Sequence, residues 1–66
     1  MTNSIKIARV IAQLTQAELA EKIGVSRQTI NAIESNRFVP STVLALKLSH
    51  LFQKSVNELF QLEDTD

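Results

Sequence analysis

Apolar residues recur at helical spacing along most of the chain, and short polar stretches divide them into five segments. In the second segment Leu19, Ala20 and Ile23 share one helix face, and in the third segment Ile30 and Ile33 do so. The pattern therefore predicts an all-α domain of five short helices. The inward positions predicted for the last two helices are Leu44, Ala45, Leu48, Leu51, Phe52, Val56, Leu59 and Phe60.

Residues that cap helix N-termini precede each of these segments. Thr15 and Glu18 have the spacing of a capping box, in which the hydroxyl and the carboxylate each bind the backbone amide of the other residue. Ser55 and Glu58 repeat that spacing before the fifth segment. Single N-cap residues are expected at Ser4, Ser26 and Ser41. We expect the first helix to reach about Gln13 and the third to cover 27 to about 35.

The single glycine and the single proline mark where helices stop. Gly24 is expected to end the second helix in a left-handed conformation, which glycine adopts without strain. Pro40 disfavours helix in the residue before it, so the stretch "NRFVPS" is expected to be a loop. The alternation Phe60–Gln61–Leu62 also allows a short β-pairing with residues 1–3.

The second and third helices have the features of a helix-turn-helix covering about 16–35. Two short helices that cross at a steep angle need a very small side chain at the crossing, which Ala20 provides. The tight turn needs a positive φ, which Gly24 provides. Ile30 and Ile33 then pack the third helix onto the second.

The side of the third helix opposite these isoleucines carries groups that can recognise base edges. A helix fits the major groove, where Gln and Asn can pair with adenine, Arg with guanine, and a methyl group with the thymine methyl. This chemistry predicts that DNA bases are read by Arg27, Gln28, Asn31 and Ala32.

Phosphate-binding groups are expected around the same two helices. Gln16 and Ser26 lie at helix N-termini, where free amides and the helix dipole favour an anion. Further phosphate contacts are predicted for Thr29, Ser35, Asn36 and Arg37. Because these groups are mostly amides and hydroxyls, we expect only a few ions to be released on binding and a shallow salt dependence.

Composition narrows the possible functions. The 66 residues suit a single domain over 1–66, and seven basic residues balance seven acidic ones, which argues against a nonspecific polyanion binder. Cysteine is absent and His50 is the only histidine. We therefore expect no catalytic residue, no metal site and no cofactor, and an enzyme is not predicted.

No apolar run in the sequence has the length of a membrane span, and the first ten residues lack the apolar block of a signal peptide. We therefore expect a cytoplasmic, nucleoid-associated protein with no membrane partner.

The stretch "LTQAELAEKIGVSRQTINAIESNRFVPS" resembles the Xre family of helix-turn-helix regulators, the phage Cro and lambda-repressor type. The similarity runs from about Ile5 to Phe60, and the chain most resembles compact stand-alone members such as the cytolysin repressor type. The resemblance implies a five-helix lambda-repressor-like bundle, a homodimer and a near-palindromic operator. By position, it implies phosphate contact by Gln16, base contact by Arg27, Gln28 and Asn31, and a salt bridge between Arg9 and Glu34.

The first helix departs from this family. Charged residues usually follow the arginine that Arg9 matches, whereas this chain has Val10, Ile11 and Ala12. The resulting apolar arc is wider than the ~100° stripe of an ordinary surface helix, so we expect a dimer mate or another partner to cover part of it. Candidates for the dimer interface are Val10 and Ile11 and, in the C-terminal part that the family often uses, Leu59, Phe60 and Leu62.

The sequence therefore predicts a sequence-specific regulator that represses transcription by occluding promoter DNA. A homodimer would place its two reading helices in adjacent major grooves, about 34 Å apart. Three alternatives stay open: the antitoxin of a toxin–antitoxin pair, a protein-interaction module that does not bind DNA, and a structural subunit of a larger complex.

Overall fold

The computed structural model describes all residues from Met1 to Asp66. Five helices form a bundle that a two-stranded sheet closes at the chain ends, so the predicted fold class is confirmed, including the terminal β-pairing. The elements in chain order are β1 (Thr2–Asn3), α1 (Ile5–Ile11), α2 (Gln16–Ile23), α3 (Arg27–Glu34), α4 (Thr42–Phe52), α5 (Val56–Leu59) and β2 (Phe60–Gln61). No helix combines the length and the apolar character that crossing a lipid bilayer requires.

Two capping boxes begin α2 and α5, as predicted. The Thr15 hydroxyl accepts from the Glu18 amide over 3.0 Å, and the Glu18 carboxylate accepts from the Thr15 amide over 2.9 Å. Ser55 and Glu58 form the same pair of bonds at 3.1 and 3.0 Å. In each box the backbone amide that binds the carboxylate lowers the pKa of the glutamate below its ordinary value, and the hydroxyl contributes in the same direction.

The cap predicted at Ser4 is wrong in detail. The Ser4 hydroxyl donates to the Glu58 carbonyl over 3.1 Å, and the Asn3 side chain accepts from the Ile5 amide instead. The cause is tertiary: the Ser4 amide bonds to the Leu59 carbonyl over 2.9 Å, next to the β1–β2 pairing, which turns Ser4 towards α5. The sequence shows the capping residue type, but it does not show that the Ser4 amide bonds to Leu59.

Residues with positive φ follow four of the helices. Gly24 has φ 77°, as predicted, and the others are Gln13 (60°), Asn36 (61°) and Gln53 (57°). After α1 the Leu14 amide bonds to the Arg9 carbonyl and the Gln13 amide to the Val10 carbonyl. This is the Schellman arrangement, and it ends α1 at Ile11, two residues before the predicted boundary.

The core lies where all five helices meet. Its fully buried large side chains are Ile5, Leu19, Ile30, Ile33, Leu48 and Leu59. Other residues predicted to face inward on α4 and α5 are half-buried and pack against this core, namely Ala45, Leu51, Phe52 and Val56. The antiparallel pairing of Thr2 with Gln61 and of Asn3 with Phe60 joins the two ends of the chain beside it.

Candidate nucleic-acid interface

The turn between α2 and α3 holds the two helices in close contact. Ala20 is buried at the contact, and Ile30 and Ile33 are fully buried beneath α3. A Cβ atom built on Gly24 would meet no other atom within 4 Å, so this position requires glycine for its backbone conformation alone. With its isoleucine side held against the core, α3 presents a fixed opposite side to solvent.

That opposite side holds the four predicted base-reading residues together. Arg27, Gln28 and Asn31 are exposed, whereas Ala32 is half-buried. These four residues line one open concave surface, and the side chain of Arg37 lines it with them. We refer to these five residues as the reading surface. It offers amide and guanidinium donors, amide acceptors and a methyl group, and it contains no nucleophile.

The position of Arg37 differs from the sequence expectation. The sequence predicts that Arg37 contacts a phosphate from the loop after α3, whereas in the structure its side chain runs back along the helix. Its Nη2 donates to Asn31 Oδ1 over 2.8 Å, and its Nε donates to Ser35 Oγ over 2.9 Å. The left-handed Asn36 reverses the chain here, and the Arg37 amide bonds to the Ala32 carbonyl over 2.9 Å. Sequence reasoning missed this, because only the turn geometry brings Arg37 beside Asn31.

The other predicted phosphate ligands near α3 bond to neighbouring groups in the free protein. Ser26 Oγ accepts from the Thr29 amide over 3.2 Å and lies 3.0 Å from Thr29 Oγ1. Ser35 Oγ donates to the Asn31 carbonyl, and Asn36 Oδ1 accepts from Asn3 Nδ2. These bonds secure both ends of α3, and contact with phosphate stays a prediction for all four residues.

A partly buried polar cluster joins α1, α2 and α3. Arg9 Nε donates to Glu34 Oε2 over 2.6 Å and Arg9 Nη2 to Oε1 over 3.2 Å, so the ion pair that the family resemblance implied is present. Gln16 Nε2 donates to Glu34 Oε1 over 3.1 Å. Because an amide nitrogen carries two hydrogens, Gln16 can keep this bond and still donate to a phosphate.

Lys6 is a cation near the interface that sequence reasoning did not single out. It is exposed on α1 and lines a polar surface with Gln16, Asn31 and Ser35. Lys6 is far from α3 in the sequence, so its closeness to Asn31 and Ser35 follows only from the packing of α1 against α3. Lys6 therefore adds a positive charge beside Gln16, the first residue of α2.

Two of the predicted dimer residues are not available to a second subunit. Leu59 is 0% exposed and Phe60 is 8% exposed, because both belong to the core of their own subunit, and their prediction as interface residues is wrong. The other three candidates, Val10, Ile11 and Leu62, are 56%, 74% and 83% exposed.

A further apolar surface, which sequence reasoning missed, lies at the start of α4. Its exposed residues are Val39, Val43 and Leu46, and we call them the α4 surface. Val39 and Leu46 border a shallow cavity lined also by Met1, Pro40 and Val56. Val43 lies on the adjoining side of the helix and borders a second cavity, with Lys47. No group of three or more His, Cys, Asp or Glu side chains is placed to hold a metal ion anywhere in the structure.

Comparison with known proteins agrees with this geometry. A family model described as helix-turn-helix matches residues 5–59. The chain is 44% identical over 66 residues to an uncharacterised HTH-type transcriptional regulator of Methanocaldococcus jannaschii, covering all of both chains. It is 41% identical over 64 residues to another such regulator, from Bacillus subtilis, covering 97% of each chain.

A solved structure of a proposed DNA-binding protein from Bacteroides fragilis superposes with a TM-score of 0.78 at 33% identity. The match covers 88% of this chain and 94% of that chain. The family model spans most of this chain, both relatives match nearly all of it, and the fold agrees with that of the Bacteroides fragilis protein. The chain therefore belongs to the helix-turn-helix family, of the Xre type that its sequence resembles.

Proposed function

We propose that the protein is a transcriptional repressor that binds a near-palindromic operator in double-stranded DNA as a homodimer. The observation that carries this proposal is the reading surface: the solvent-facing side of α3 gathers Arg27, Gln28, Asn31 and Ala32 in one place. The relatives described as HTH-type transcriptional regulators support a role in transcription regulation. Its site of action would be chromosomal DNA in the cytoplasm.

In the proposed complex α3 lies in the major groove and α2 crosses the DNA backbone. Gln28 and Asn31 carry donors and acceptors for base edges, and Arg27 at the start of α3 reaches a guanine or a neighbouring phosphate. The amide ends of α2 and α3 hold phosphates together with Gln16, Ser26 and Thr29. Ser35, Asn36 and the cation of Lys6 complete the contacts with the backbone.

We assign the homodimer to the α4 surface and not to α1. The cavity beside Val39 and Leu46 has a mostly apolar lining. By contrast, the groove beside Ile7 and Ile11 on α1 includes the charged side chains of Lys54 and Glu58. Interface centres are depleted in charge, so the α4 surface is the better match.

The size of the subunit suits binding to adjacent grooves. The molecule measures 32 × 23 × 20 Å, so a side-by-side pair is large enough to hold its two α3 helices about 34 Å apart, the length of one DNA turn. The α4 surface begins at Val39, five residues after the end of α3. A two-fold axis there would therefore couple the spacing of the two reading helices directly to the dimer contact.

Selection of bound duplexes from a random pool, followed by footprinting, tests this function. The expected product is a palindromic consensus whose half-sites lie one helical turn apart. Recovery of unrelated sequences, with no protected site, would overturn the proposal and favour a protein-interaction module.

A matched pair of double variants tests the dimer contact. Val43→Glu with Leu46→Glu should give a monomer in sedimentation equilibrium and weaken operator binding. Val10→Glu with Ile11→Glu adds the same charge to α1 and should leave the mass unchanged. The opposite result would move the dimer contact to α1.

An antitoxin is the second candidate function. The exposed α1 residues Ile7, Val10 and Ile11 form an apolar surface that the proposed homodimer does not use, and a toxin could cover it. Co-expression with the product of the adjacent gene would give a stable complex with wild-type protein and none with the α1 double variant. Absence of a complex with the wild type removes this candidate.

A further inference from the structure

We propose that Arg37 determines specificity by fixing the orientation of the Asn31 amide, so that the two residues together read guanine and not adenine. The proposal rests on the DNA-binding function proposed above and assigns a base to one position of the reading surface. Arg37 contacts the base-reading residue, whereas the sequence pattern placed it among the phosphate ligands.

The contact between the two side chains has only one consistent geometry. Arg37 Nη2 lies 2.8 Å from Asn31 Oδ1. A guanidinium group donates hydrogen bonds and never accepts them, so the amide oxygen of Asn31, not its nitrogen, must face Arg37. Nδ2 then faces away from Arg37, and none of the hydrogen bonds within the protein involves it.

Several bonds hold the Arg37 side chain in this position. Its Nε donates to Ser35 Oγ over 2.9 Å, and Ser35 Oγ in turn donates to the Asn31 carbonyl over 2.9 Å. The chain reversal at Asn36 is secured by Asn3, whose Nδ2 bonds to the Ile33 carbonyl over 2.8 Å and to Asn36 Oδ1 over 3.1 Å. Arg37 is therefore anchored at its backbone and at Nε, and its remaining N–H groups are free to point outwards.

The oriented pair presents donors to the DNA. Adenine offers one acceptor and one donor in the major groove, so an isolated Asn reads it through both its amide oxygen and its amide nitrogen. In this protein the bond from Arg37 turns the Asn31 oxygen towards the guanidinium and occupies one of its two lone pairs, whereas Nδ2 of Asn31 and the unused N–H groups of Arg37 remain as donors. Guanine offers two acceptors, N7 and O6, and matches this donor pair.

The test is a measurement of base preference on duplexes that vary at one operator position. The variant Asn31→Ala identifies the operator position that Asn31 contacts, because removing the amide abolishes base preference at that position and leaves the preference at other positions unchanged. Wild-type protein should prefer guanine at that position. Arg37→Ala should shift the preference towards adenine, with roughly a tenfold change in the ratio of the two affinities.

Two further variants separate orientation of the amide from simple charge. Arg37→Lys keeps the positive charge but replaces the planar guanidinium, which binds Ser35 through Nε and Asn31 through Nη2, with a single nitrogen. The fixed orientation is then lost, so this variant should shift the preference in the same direction as Arg37→Ala. Ser35→Ala removes the anchor of Nε without changing charge and should give a smaller shift in the same direction. All four substitutions are at exposed residues, and far-ultraviolet circular dichroism checks that each variant is folded.

Other outcomes overturn the proposal. If Arg37→Ala weakens binding equally for all sequences, lowers the salt slope by about one and is rescued by Arg37→Lys, Arg37 is a phosphate ligand. Adenine preference in the wild type, or Asn31→Ala without an effect at any single position, also refutes the proposed role. If the wild type shows no base preference anywhere, the proposed function fails with it, whereas a wild-type preference that Arg37→Ala leaves intact removes only the role of Arg37.

Discussion

Replacing Arg9 with alanine should destabilise the protein strongly, because Arg9 joins α1 to the helix that carries the reading surface. The side chains of Arg9 and Glu34 are only 12% and 5% exposed, so water screens their ion pair poorly. Arg9→Ala removes both guanidinium bonds to Glu34 and also the bond from Nη1 to the Leu14 carbonyl. Glu34 would then keep only Gln16 as a side-chain partner.

The expected magnitude follows from this burial. Removing one member of a fully buried pair costs about 3–5 kcal/mol, and the residual exposure of Arg9 reduces this to about 2–4 kcal/mol. A domain of this size has roughly 3–10 kcal/mol of total stability, so the variant should be close to the threshold of unfolding. The melting temperature should fall by at least about 10 °C.

Urea denaturation of four proteins measures this effect: wild type, Arg9→Ala, Glu34→Ala and the double variant. The double variant should be less damaged than the sum of the single variants, with a coupling free energy of about 2 kcal/mol, because it leaves no unpaired charge. Lys47→Ala removes one exposed charge and serves as the control. Single-variant losses below about 0.5 kcal/mol, or additive losses, would refute the reasoning, since exposed ion pairs behave in that way.

Three further predictions concern the helix ends, acid stability and the contacts with phosphate. Gly24→Ala should lower the free energy of unfolding by about 1 kcal/mol, because φ is 77° although no atom obstructs the new Cβ. Gln13→Gly, at φ 60°, should raise it by about 0.5–1 kcal/mol. Thermal unfolding measures both, and a change of the same sign in the two variants would contradict this reasoning. Because the pKa values of Glu18 and Glu58 are lowered in the folded state, their stabilisation is present at neutral pH and is lost as pH falls below about 4.5. In the double variant Glu18→Gln with Glu58→Gln, the free energy of unfolding should therefore fall less steeply as the pH is lowered, as denaturant titrations at several pH values would show. An unchanged pH dependence would contradict the role given to these two carboxylates. In salt titrations of operator affinity Lys6→Ala should lower the slope by about one, whereas Lys22→Ala, in the last turn of α2, should leave it unchanged.

Much of the helical framework could be predicted from the sequence because its signals are local. A capping box needs two residues three positions apart, and Gly24 is the residue that tolerates a left-handed turn best. The packing of Ile30 and Ile33 then determines which side of α3 is exposed. These short-range rules predict both the helix-turn-helix and the residues on its outer side.

Two kinds of detail could not be predicted from the sequence. Gln13 and Gln53 adopt the left-handed conformations that end α1 and α4, and glutamine, unlike Gly24, does not indicate such a turn. Ser4 turns towards α5 through a backbone bond to Leu59. Neither the left-handed glutamines nor the bond from Ser4 to Leu59 can be recognised from the residues around them in the sequence.

In the candidate site, too, some features follow from local sequence rules and others only from the folded structure. The outward direction of Gln28 and Asn31 follows from helical periodicity, whereas the return of Arg37 to Asn31 follows from the positive φ of Asn36. The α4 surface was missed because α4 is apolar on most of its circumference, and periodicity then does not distinguish inward from outward positions. The interface prediction for Leu59 and Phe60 follows from the family's frequent use of its C-terminal part for dimerisation, whereas helical periodicity predicts that both face inward, as the structure shows.

The ratio of affinities for a selected operator and a shuffled duplex of equal composition, at one salt concentration, tests the central claim most directly. Wild-type protein should prefer the operator by at least about a hundredfold. The variant Gln28→Ala with Asn31→Ala, still folded, should bind both duplexes about equally. If the double variant keeps the wild-type ratio, the exposed side of α3 does not read DNA sequence.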